Sequence, residues 1–308
     1  MTATLARLCL ALCLTLSLPA WSQVPDYQHI ELTDFATGTP ARLAELDSDK
    51  PLYIKLWATW CQPCMQQMPH FEELQKRFGE QINFVAVNIN INERPGRIKS
   101  VISKFGLTMP VWLDKKGHLA LALGLEGTPY SVLLNTRGET VYTTHESDAA
   151  LDDVLAQLAD GQPLPAVATG VIDAGQKARL LTPWQQGEHL VFFSATWCDW
   201  YLEASRPNMA QRCKVVQQGL SELVQQLPDA SWQGVVSHLW TDDKTMNDFV
   251  AQYQMTIPFL IDHHGVLFHE FGVRELPVLL KIRDGNVVAT VDDFSSIAAI
   301  REQLATSR

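Results

Sequence analysis

Apolar residues fall into two kinds of run near the start of the chain. Residues 52–56 form a short, nearly continuous apolar run, which is typical of a buried strand. After it, apolar residues recur at helical spacing, at Met65, Met68, Phe71, Leu74 and Phe78. The pattern therefore predicts a strand over 52–57 that hands over directly to a helix over 62–78.

The same patterns continue to residue 159 and predict the remaining elements of this first part. We expect an N-terminal extended pair within 30–43, strands at 82–88, 110–113, 130–135 and 139–144, and helices at 95–105 and 147–159. Strands that alternate with helices and end in a hairpin favour a mixed β-sheet that is covered by helices on both faces.

The second half of the chain repeats the first. Residues 108–114, Thr-Met-Pro-Val-Trp-Leu-Asp, are echoed 148 positions later by 256–262, Thr-Ile-Pro-Phe-Leu-Ile-Asp. Upstream, Ala-Thr-Trp-Cys at 58–61 recurs 137 positions later at 195–198, so the second copy carries 11 extra residues between these landmarks. Similarity in this order and spacing predicts two tandem copies of one fold.

A segment rich in helix breakers separates the two copies. Residues 160–165 read Asp-Gly-Gln-Pro-Leu-Pro, a composition typical of a loop. We therefore expect a first domain over 23–160, a linker over 161–166 and a second domain over 167–308. The predicted fold class is α/β, with two tandem domains that are each a mixed sheet flanked by helices.

The first 22 residues are typical of a signal peptide rather than of a folded domain. Arg7 precedes an apolar run over 8–18, and Ala20 and Ser22 fit the small residues of a cleavage site. The run is shorter than the ~20 residues that span a bilayer. We expect cleavage near residues 20–22 and an exported, periplasmic protein.

Composition narrows the classes of function. The formal net charge is −10 and no basic run is present, which argues against nucleic acid as a partner. Four cysteines remain after the signal peptide, too few for a disulfide scaffold: Cys61, Cys64, Cys198 and Cys213.

Cys61 and Cys64 stand where the first strand gives way to the first helix. Free N–H groups and the helix dipole stabilise a thiolate at this end of a helix, and the thiolate is the nucleophile in disulfide exchange. Pro63 suits a first helical turn because it has no N–H to lose. We expect the Cys61 sulfur to reach solvent and Cys64 to lie one turn further in. A zinc site needs a second pair of ligands, and none stands at metal spacing, so we expect no metal and no cofactor.

These residues resemble a known family. The sequence Trp-Cys-Gln-Pro-Cys at 60–64 resembles the thioredoxin superfamily, and the longer stretch 57–69 looks like the TlpA/ResA branch of secreted bacterial thiol-disulfide reductases. The resemblance implies thioredoxin-like domains in which Cys61 and Cys64 are catalytic. It also implies disulfide-containing protein substrates and a membrane thiol electron donor of the DsbD or CcdA type.

A proline precedes an apolar strand in each copy, as Thr128-Pro129 and Leu276-Pro277. In the family this proline is cis and lies beside the cysteine pair. A cis-proline exposes the backbone groups of the preceding residue, which can then pair with an extended substrate. We expect Trp60, Thr128 and Pro129 to form a substrate groove, with an ordinary trans proline at the start of an edge strand as the alternative.

The proton acceptor of the cysteine pair is less evident from the sequence. Thioredoxin buries an acidic residue under its cysteines, and Lys55 takes that position here. ResA-type proteins place a glutamate after the next strand, and Glu93 is the nearest match, although the loop here is slightly longer. Glu93 is therefore a possible proton acceptor, with a solvated loop charge as the alternative and Glu126 as a rival. We expect Trp57 in the core and Trp60 as a surface platform.

In the second copy, Tyr201 stands at the CxxC position of the second cysteine, so the resemblance implies a degenerate active site. Cys198 is then a relict in a binding domain, a reactive thiol that Cys61 and Cys64 reset, or a partner of Cys213. Pairing needs a break in the helix, because roughly 15 residues of straight helix span ~22 Å, whereas a disulfide needs Cα atoms within ~7 Å. Residues 206–208, Arg-Pro-Asn, are where such a break could occur.

The sequence thus predicts an exported thiol-disulfide oxidoreductase that reduces protein disulfides through Cys61 and Cys64. Pro63, and the absence of His between the two cysteines, favour a reducing pair over a strongly oxidising one. The alternatives are a disulfide oxidase or isomerase, and a non-enzymatic copper-handling or binding protein that uses the same cysteines.

Overall fold

The computed structural model of the protein describes residues 27–170 and 172–307, so the predicted signal peptide lies outside the described residues. The N-terminal half contains seven strands: β1 (Leu32–Asp34), β2 (Pro40–Ala41), β3 (Leu52–Trp57), β4 (Asn83–Asn88), β5 (Val111–Leu113), β6 (Tyr130–Leu134) and β7 (Thr140–Thr144). They form one mixed sheet in the order β2-β1-β5-β4-β3-β6-β7.

Four α-helices accompany this sheet: α1 (Gln62–Phe78), α2 (Pro95–Phe105), α3 (His118–Ala122) and α4 (Ala149–Ala159). Short 3₁₀ turns occur at Tyr27–His29 and Leu43–Glu45. The predicted strands and helices are confirmed with their bounds shifted by two residues at most. The sequence pattern missed α3, because five residues are too few to show helical periodicity.

The C-terminal half contains a second sheet of five strands: β8 (Glu188–Ser194), β9 (Trp232–Ser237), β10 (Phe259–Asp262), β11 (Val278–Arg283) and β12 (Asn286–Val291). Its helices are α5 (Ala174–Leu181), α6 (Pro207–Gln226), α7 (Asp243–Gln252), α8 (Val266–Glu270) and α9 (Ile297–Thr306), with a 3₁₀ turn at Thr182–Trp184. The strand order β10-β9-β8-β11-β12 reproduces β5-β4-β3-β6-β7 of the first sheet. The predicted α/β fold with a second copy of the same unit is therefore confirmed.

Strand β3 is an interior strand of the first sheet and leads directly to the cysteine pair. It pairs in parallel with β4 and antiparallel with β6, and all six of its residues are buried. A strand covered on both faces has no solvent side, which explains why its sequence is nearly continuously apolar rather than alternating. The ring of Phe71 on α1 lies 4.9 Å from that of Tyr53, so β3 and α1 are held together by packed aromatic side chains.

One hydrophobic core runs through both halves of the molecule. The same cluster of buried residues includes Leu56 and Trp57 from the first half and Phe193 and Leu276 from the second. Between α4 and α5 the described residues form no helix or strand, and the predicted linker, 161–166, lies in this stretch. There, the Val167 N–H donates to the Thr140 carbonyl on edge strand β7 at 2.8 Å, so the connecting chain runs along the first sheet.

None of the helices in the described parts of the chain is long and apolar enough to cross a membrane.

A lysine is buried inside this core. Lys55, on β3, is fully buried, and its amine donates to Gln67 Oε1 at 2.7 Å and to Ser131 Oγ at 3.4 Å. Neither partner is charged, and burial lowers the pKa of Lys55 to about 7. The position that holds an acid in thioredoxin therefore holds an amine that is close to neutral at physiological pH.

Replacing Lys55 with Met should remove part of the pH dependence of stability. In the unfolded chain the amine has a pKa near 10.5, so between pH 7 and that value the unfolded state binds more protons than the folded state. The free energy of unfolding should therefore rise with pH there, by up to roughly 1.4 kcal/mol per pH unit. Urea denaturation between pH 6 and 10 should show a flatter rise for Lys55→Met, whereas the exposed control Lys116→Met should follow the wild type. Parallel curves for wild type and Lys55→Met would contradict this assignment.

Candidate active site

Cys61 and Cys64 form a disulfide at the junction of β3 and α1. The S–S distance is 2.02 Å and the Cα atoms are 5.2 Å apart. Cys61 is the N-cap of α1, and its sulfur accepts the Cys64 N–H at 3.1 Å. The N–H groups and the positive end of the helix dipole stabilise a negative charge at this position, so Cys61 is placed to be a thiolate once the disulfide is reduced.

The predicted cis-prolines are confirmed: the Thr128–Pro129 and Leu276–Pro277 peptide bonds are both cis. Because Leu56 of β3 pairs with Tyr130 of β6, Pro129 lies level with the end of β3 that leads to Cys61. Thr128 is fully buried, and within the described part of the chain its hydroxyl has no hydrogen-bond partner. The role of Thr128 and Pro129 in binding substrate stays a prediction.

Glu93 reaches the residues next to the cysteine pair. Its carboxylate accepts the Thr59 N–H at 2.5 Å, the Thr59 hydroxyl at 2.6 Å and the Asn88 amide at 3.1 Å. Burial raises the pKa of Glu93, while these hydrogen bonds and the positive charge of Arg206 act in the opposite direction. A carboxyl group of raised pKa beside the active-site loop is suited to accept and return a proton. Its rival Glu126 is exposed.

The two tryptophans near the cysteines are both buried. Trp57 lies in the core, as predicted, but the expectation of a surface platform at Trp60 is wrong. Only 2% of Trp60 is exposed, because its ring stacks on Trp197 of the C-terminal half with the ring centroids 4.8 Å apart. The sequence showed an aromatic residue at this position but not the second aromatic residue that covers it.

The Cys61 sulfur does not reach solvent in this arrangement, contrary to the sequence-based expectation. Only 1% of Cys61 is exposed. The residues on either side of it contact residues 197–206 of the C-terminal half. We call residues 197–206 the covering segment. The Gln62 N–H at the start of α1 donates to the Tyr201 hydroxyl at 2.8 Å, and the Arg206 guanidinium donates to the Thr59 hydroxyl.

A second set of contacts joins the halves at the loop that precedes Glu93. The Asn92 N–H donates to the Arg274 carbonyl at 2.8 Å, and the Leu276 N–H donates to Asn92 Oδ1 at 2.7 Å. At the rim, Arg94 and Glu275 form an ion pair at 2.7 Å. The backbone on the N-terminal side of Pro277 is therefore already paired with a loop of the first half.

Cys198 and Cys213 form a second disulfide, so pairing is the one of the three alternatives for Cys198 that the structure contains. The S–S distance is 2.32 Å and the Cα atoms are 6.1 Å apart. The straight-helix estimate assumed that a helix begins directly after Cys198, and this assumption is wrong. The helix begins at Pro207, and the turns of 199–206 bring the chain back so that Cys213 meets Cys198. Both sulfurs are fully buried.

A cleft of about 770 Å³ opens between the halves beside the loop that leads to Thr128. The first half contributes Glu126 and the second contributes the exposed Trp240, together with three histidines: His238, His263 and His264. Within the described residues, no group of three or more His, Cys, Asp or Glu side chains is arranged to hold a metal ion. Glu126, in the loop that leads to Pro129, therefore faces an open cleft, whereas Trp60 is covered by the C-terminal half.

Sequence reasoning did not identify Asn92, Arg206 or Tyr201 as parts of the site. Each acts across the contact between the halves, and the residues that they meet are separated by 139 to 184 positions in the chain. A contact of this kind leaves no periodicity or spacing in a single sequence. The one available signal was the Arg206-Pro207 break, which marks where the covering segment ends and α6 begins.

Comparisons with known proteins agree with this site. A family model described as Redoxin matches residues 19–158. The thiol-disulfide oxidoreductase ResA of Halalkalibacterium halodurans is 33% identical over 34% of this chain and 58% of its own length. The thioredoxin-like protein YneN of Bacillus subtilis is 35% identical over 31% of this chain and 54% of its own length. The chain thus spans little more than half the length of these two relatives, and the match lies in its N-terminal half.

Solved structures resemble the chain over a similar share of its length. A secreted disulfide oxidoreductase of Mycobacterium tuberculosis, described as homologous to E. coli DsbE, is 19% identical, with a TM-score of 0.38 over 44% of this chain and 98% of its own. StoA from Bacillus subtilis is 23% identical, with a TM-score of 0.36 over 41% of this chain and 93% of its own. Residues 19–158 thus match the Redoxin family model, and the chain is similar to the ResA and YneN proteins over about a third of its length.

Proposed function

We propose that this protein is an exported thiol-disulfide oxidoreductase that reduces disulfides in substrate proteins through Cys61 and Cys64. The observation that carries the proposal is the disulfide at the start of α1, with cis-Pro129 level with it and the buried Glu93 carboxylate bonded to the same loop. The ResA and YneN relatives, which are named as oxidoreductase and thioredoxin-like proteins, support the same activity.

The reaction has two steps on this chain. In the reduced enzyme, the Cys61 thiolate attacks a substrate disulfide, which forms a mixed disulfide and releases one substrate thiol. Cys64 then attacks the Cys61 sulfur, so that the substrate leaves with two thiols and the enzyme retains the Cys61–Cys64 disulfide. The short Cα–Cα distance of 5.2 Å between the two cysteines favours the second attack.

Glu93 serves the second step as a proton acceptor. Cys64 is fully buried and must lose its proton before it attacks. The Glu93 carboxylate is close to the active-site loop through Thr59, and its raised pKa brings it nearer to the pKa of a thiol.

A protein substrate reaches Cys61 only after the covering segment moves away. The connection between the halves includes 162–170 and 172–173, which form no helix or strand, so it can act as the hinge. Opening exposes the Thr128–Pro129 edge and the Cys61 sulfur on the same face. A membrane thiol donor of the DsbD or CcdA type is the proposed source of electrons, because an oxidising compartment supplies none.

Replacing each cysteine with Ser in turn should separate attack on the substrate from release of the substrate. Cys61→Ser should abolish reduction of a disulfide peptide, since the attacking sulfur is gone. Cys64→Ser should still attack but should hold the peptide covalently on residue 61, which intact-mass spectrometry would detect as a stable adduct. Full reductase activity in Cys61→Ser, measured with dithiothreitol as the reductant, would refute the proposed role.

Replacing Glu93 with Gln should slow the release of substrate. The ionised fraction of Glu93 grows as pH rises through its raised pKa, so in the wild type the release rate should rise with pH over that range. Glu93→Gln should lose this dependence and release substrate about 10²-fold more slowly. Rapid-quench measurements on a preformed Cys61 mixed disulfide would show this. Glu126→Gln, an exposed control, should behave as wild type; equal slowing in both variants would contradict the role of Glu93.

The reduction potential of the Cys61–Cys64 pair should distinguish a reductase from an oxidase. We expect a value near the roughly −270 mV of thioredoxin rather than the roughly −120 mV of DsbA, because no His lies between the cysteines to stabilise the reduced form. Equilibration with reduced and oxidised glutathione, followed by alkylation of the free cysteine thiols, gives the reduction potential. A potential close to that of DsbA would favour the oxidase alternative.

A further inference from the structure

The C-terminal half contains a complete structural copy of the cysteine pair. Cys198 follows β8 in the sequence Ala-Thr-Trp-Cys, just as Cys61 follows β3. Four buried positions of α1 and α6 also share the same spacing: Cys64, Met68, Phe71 and Leu74 correspond to Cys213, Gln217, Leu220 and Leu223. Cys213 therefore occupies the place of Cys64, and the extra residues form the loop that separates it from Cys198 in sequence.

The two cysteine loops face each other across the contact between the halves. Trp60 and Trp197, which immediately precede Cys61 and Cys198, stack at 4.8 Å. Thr59 and Gln62, which bracket Cys61 together with Trp60, also contact the covering segment. Every hydrogen bond described above from this loop to the second half thus ends on the segment that begins next to Cys198.

The edge before cis-Pro277 in the C-terminal half is occupied by a loop of the first half. The backbone before cis-Pro277 both accepts from and donates to Asn92, through the Arg274 carbonyl and the Leu276 N–H. The first of these bonds joins two main-chain groups, whereas the second ends on the side-chain oxygen of Asn92. The occupant of this edge is the loop that carries Glu93.

The surroundings of Cys198 suit a sulfur that changes its redox state. The Gln217 side-chain amide donates to Cys198 Sγ at 3.3 Å, in the place where α1 has the apolar Met68. A donor at this distance also stabilises a thiolate after reduction. Both sulfurs of the second pair are fully buried, so an outside reductant cannot reach them in this arrangement.

We propose that Cys198–Cys213 is a second redox centre and that its exchange partner is the Cys61–Cys64 pair of the same chain. The inference rests on the proposed function, since it requires that Cys61 and Cys64 exchange disulfides. It names a substrate for that activity, namely a disulfide that the chain itself presents to its own active site.

The exchange balances without any further reagent once a dithiol has reduced the first pair. The Cys61 thiolate attacks Cys198 Sγ, a Cys61–Cys198 bond forms, the Cys198–Cys213 bond breaks, and Cys213 leaves as a thiolate that takes up a proton. Cys64 loses its proton and attacks Cys61 Sγ, which reforms Cys61–Cys64 and releases Cys198 as a thiolate that is then protonated. Two electrons move from the first pair to the second. Of the two protons that the second pair takes up, one replaces the proton lost by Cys64 and the other comes from solvent, which received it when Cys61 ionised; the steps are reversible.

The central experiment traps the intermediate in the full chain. Of the four cysteines beyond the predicted signal peptide, the double variant Cys64→Ser/Cys213→Ser keeps only Cys61 and Cys198. It is equilibrated at low micromolar concentration with reduced and oxidised glutathione. We expect an intramolecular Cys61–Cys198 disulfide to exceed the glutathione adducts by at least 10-fold, because tethered groups have millimolar effective concentrations. Peptide mapping of the monomer band on a non-reducing gel reads it out. The matched control Cys61→Ser/Cys213→Ser should form no Cys64–Cys198 bond, because Cys64 is the inner sulfur.

A second measurement keeps the native Cys198–Cys213 pair and so does not depend on the folding of the double variant. With stoichiometric dithiothreitol, reduction of Cys198–Cys213, followed by alkylation of Cys213, should be at least 10-fold slower in Cys61→Ser than in wild type. Equal rates, or a Cys61–Cys198 bond found only in covalent dimers, would overturn the inference. If Cys64→Ser captures an external disulfide peptide on Cys61 while the double variant forms only glutathione adducts, the proposed function stands and the inference fails. If neither forms, both fail.

Discussion

The cysteine pair of this protein is buried at a contact between two halves of one chain. Trp60 and Trp197 stack, and each indole N–H is anchored to a carbonyl of its own half, at Ile91 and Leu239. The two hydrogen bonds are equivalent in the two repeats. Each one fixes a tryptophan next to a cysteine, and the two tryptophans pack against each other. An aromatic pair of this kind is worth about 0.5–1.5 kcal/mol beyond its burial, which is strong enough to favour closure and weak enough to be reversed.

Much of the fold could be predicted from the sequence, because its signals are local. The apolar run of β3, the helical spacing of α1 and the repeat itself lie in short windows or at constant offsets. The position of Cys213 was not predictable in the same way, because it depends on where α6 begins and on the turns that precede it. The burial of Cys61 was missed for a related reason: the covering segment belongs to another repeat, and no pattern in a single sequence records which surfaces meet.

The charges beneath the cysteine pair are arranged differently from the arrangement in thioredoxin. The central strand carries an amine, Lys55, whose neighbours Gln67 and Ser131 are uncharged. The acid comes instead from the loop after β4, where Glu93 is held by Thr59 and Asn88. Moving the acid from the sheet to a loop also places it against the second half, because Asn92 beside it binds the backbone before Pro277. The proposed proton acceptor and the contact between the halves therefore share one short loop.

The connection along strand β7 has a consequence for competition between partners. The Val167 N–H donates to the Thr140 carbonyl, so part of the linker between α4 and α5 is bound to the first sheet. The freely moving part of the linker is shorter as a result. A short linker keeps the C-terminal half close to the first half after the two separate. Rebinding then proceeds at an effective concentration in the millimolar range. A substrate protein must therefore compete with the C-terminal half for the surface around Cys61. Selectivity at Cys61 is then governed by how well the substrate displaces this half, as well as by the chemistry of the substrate's disulfide.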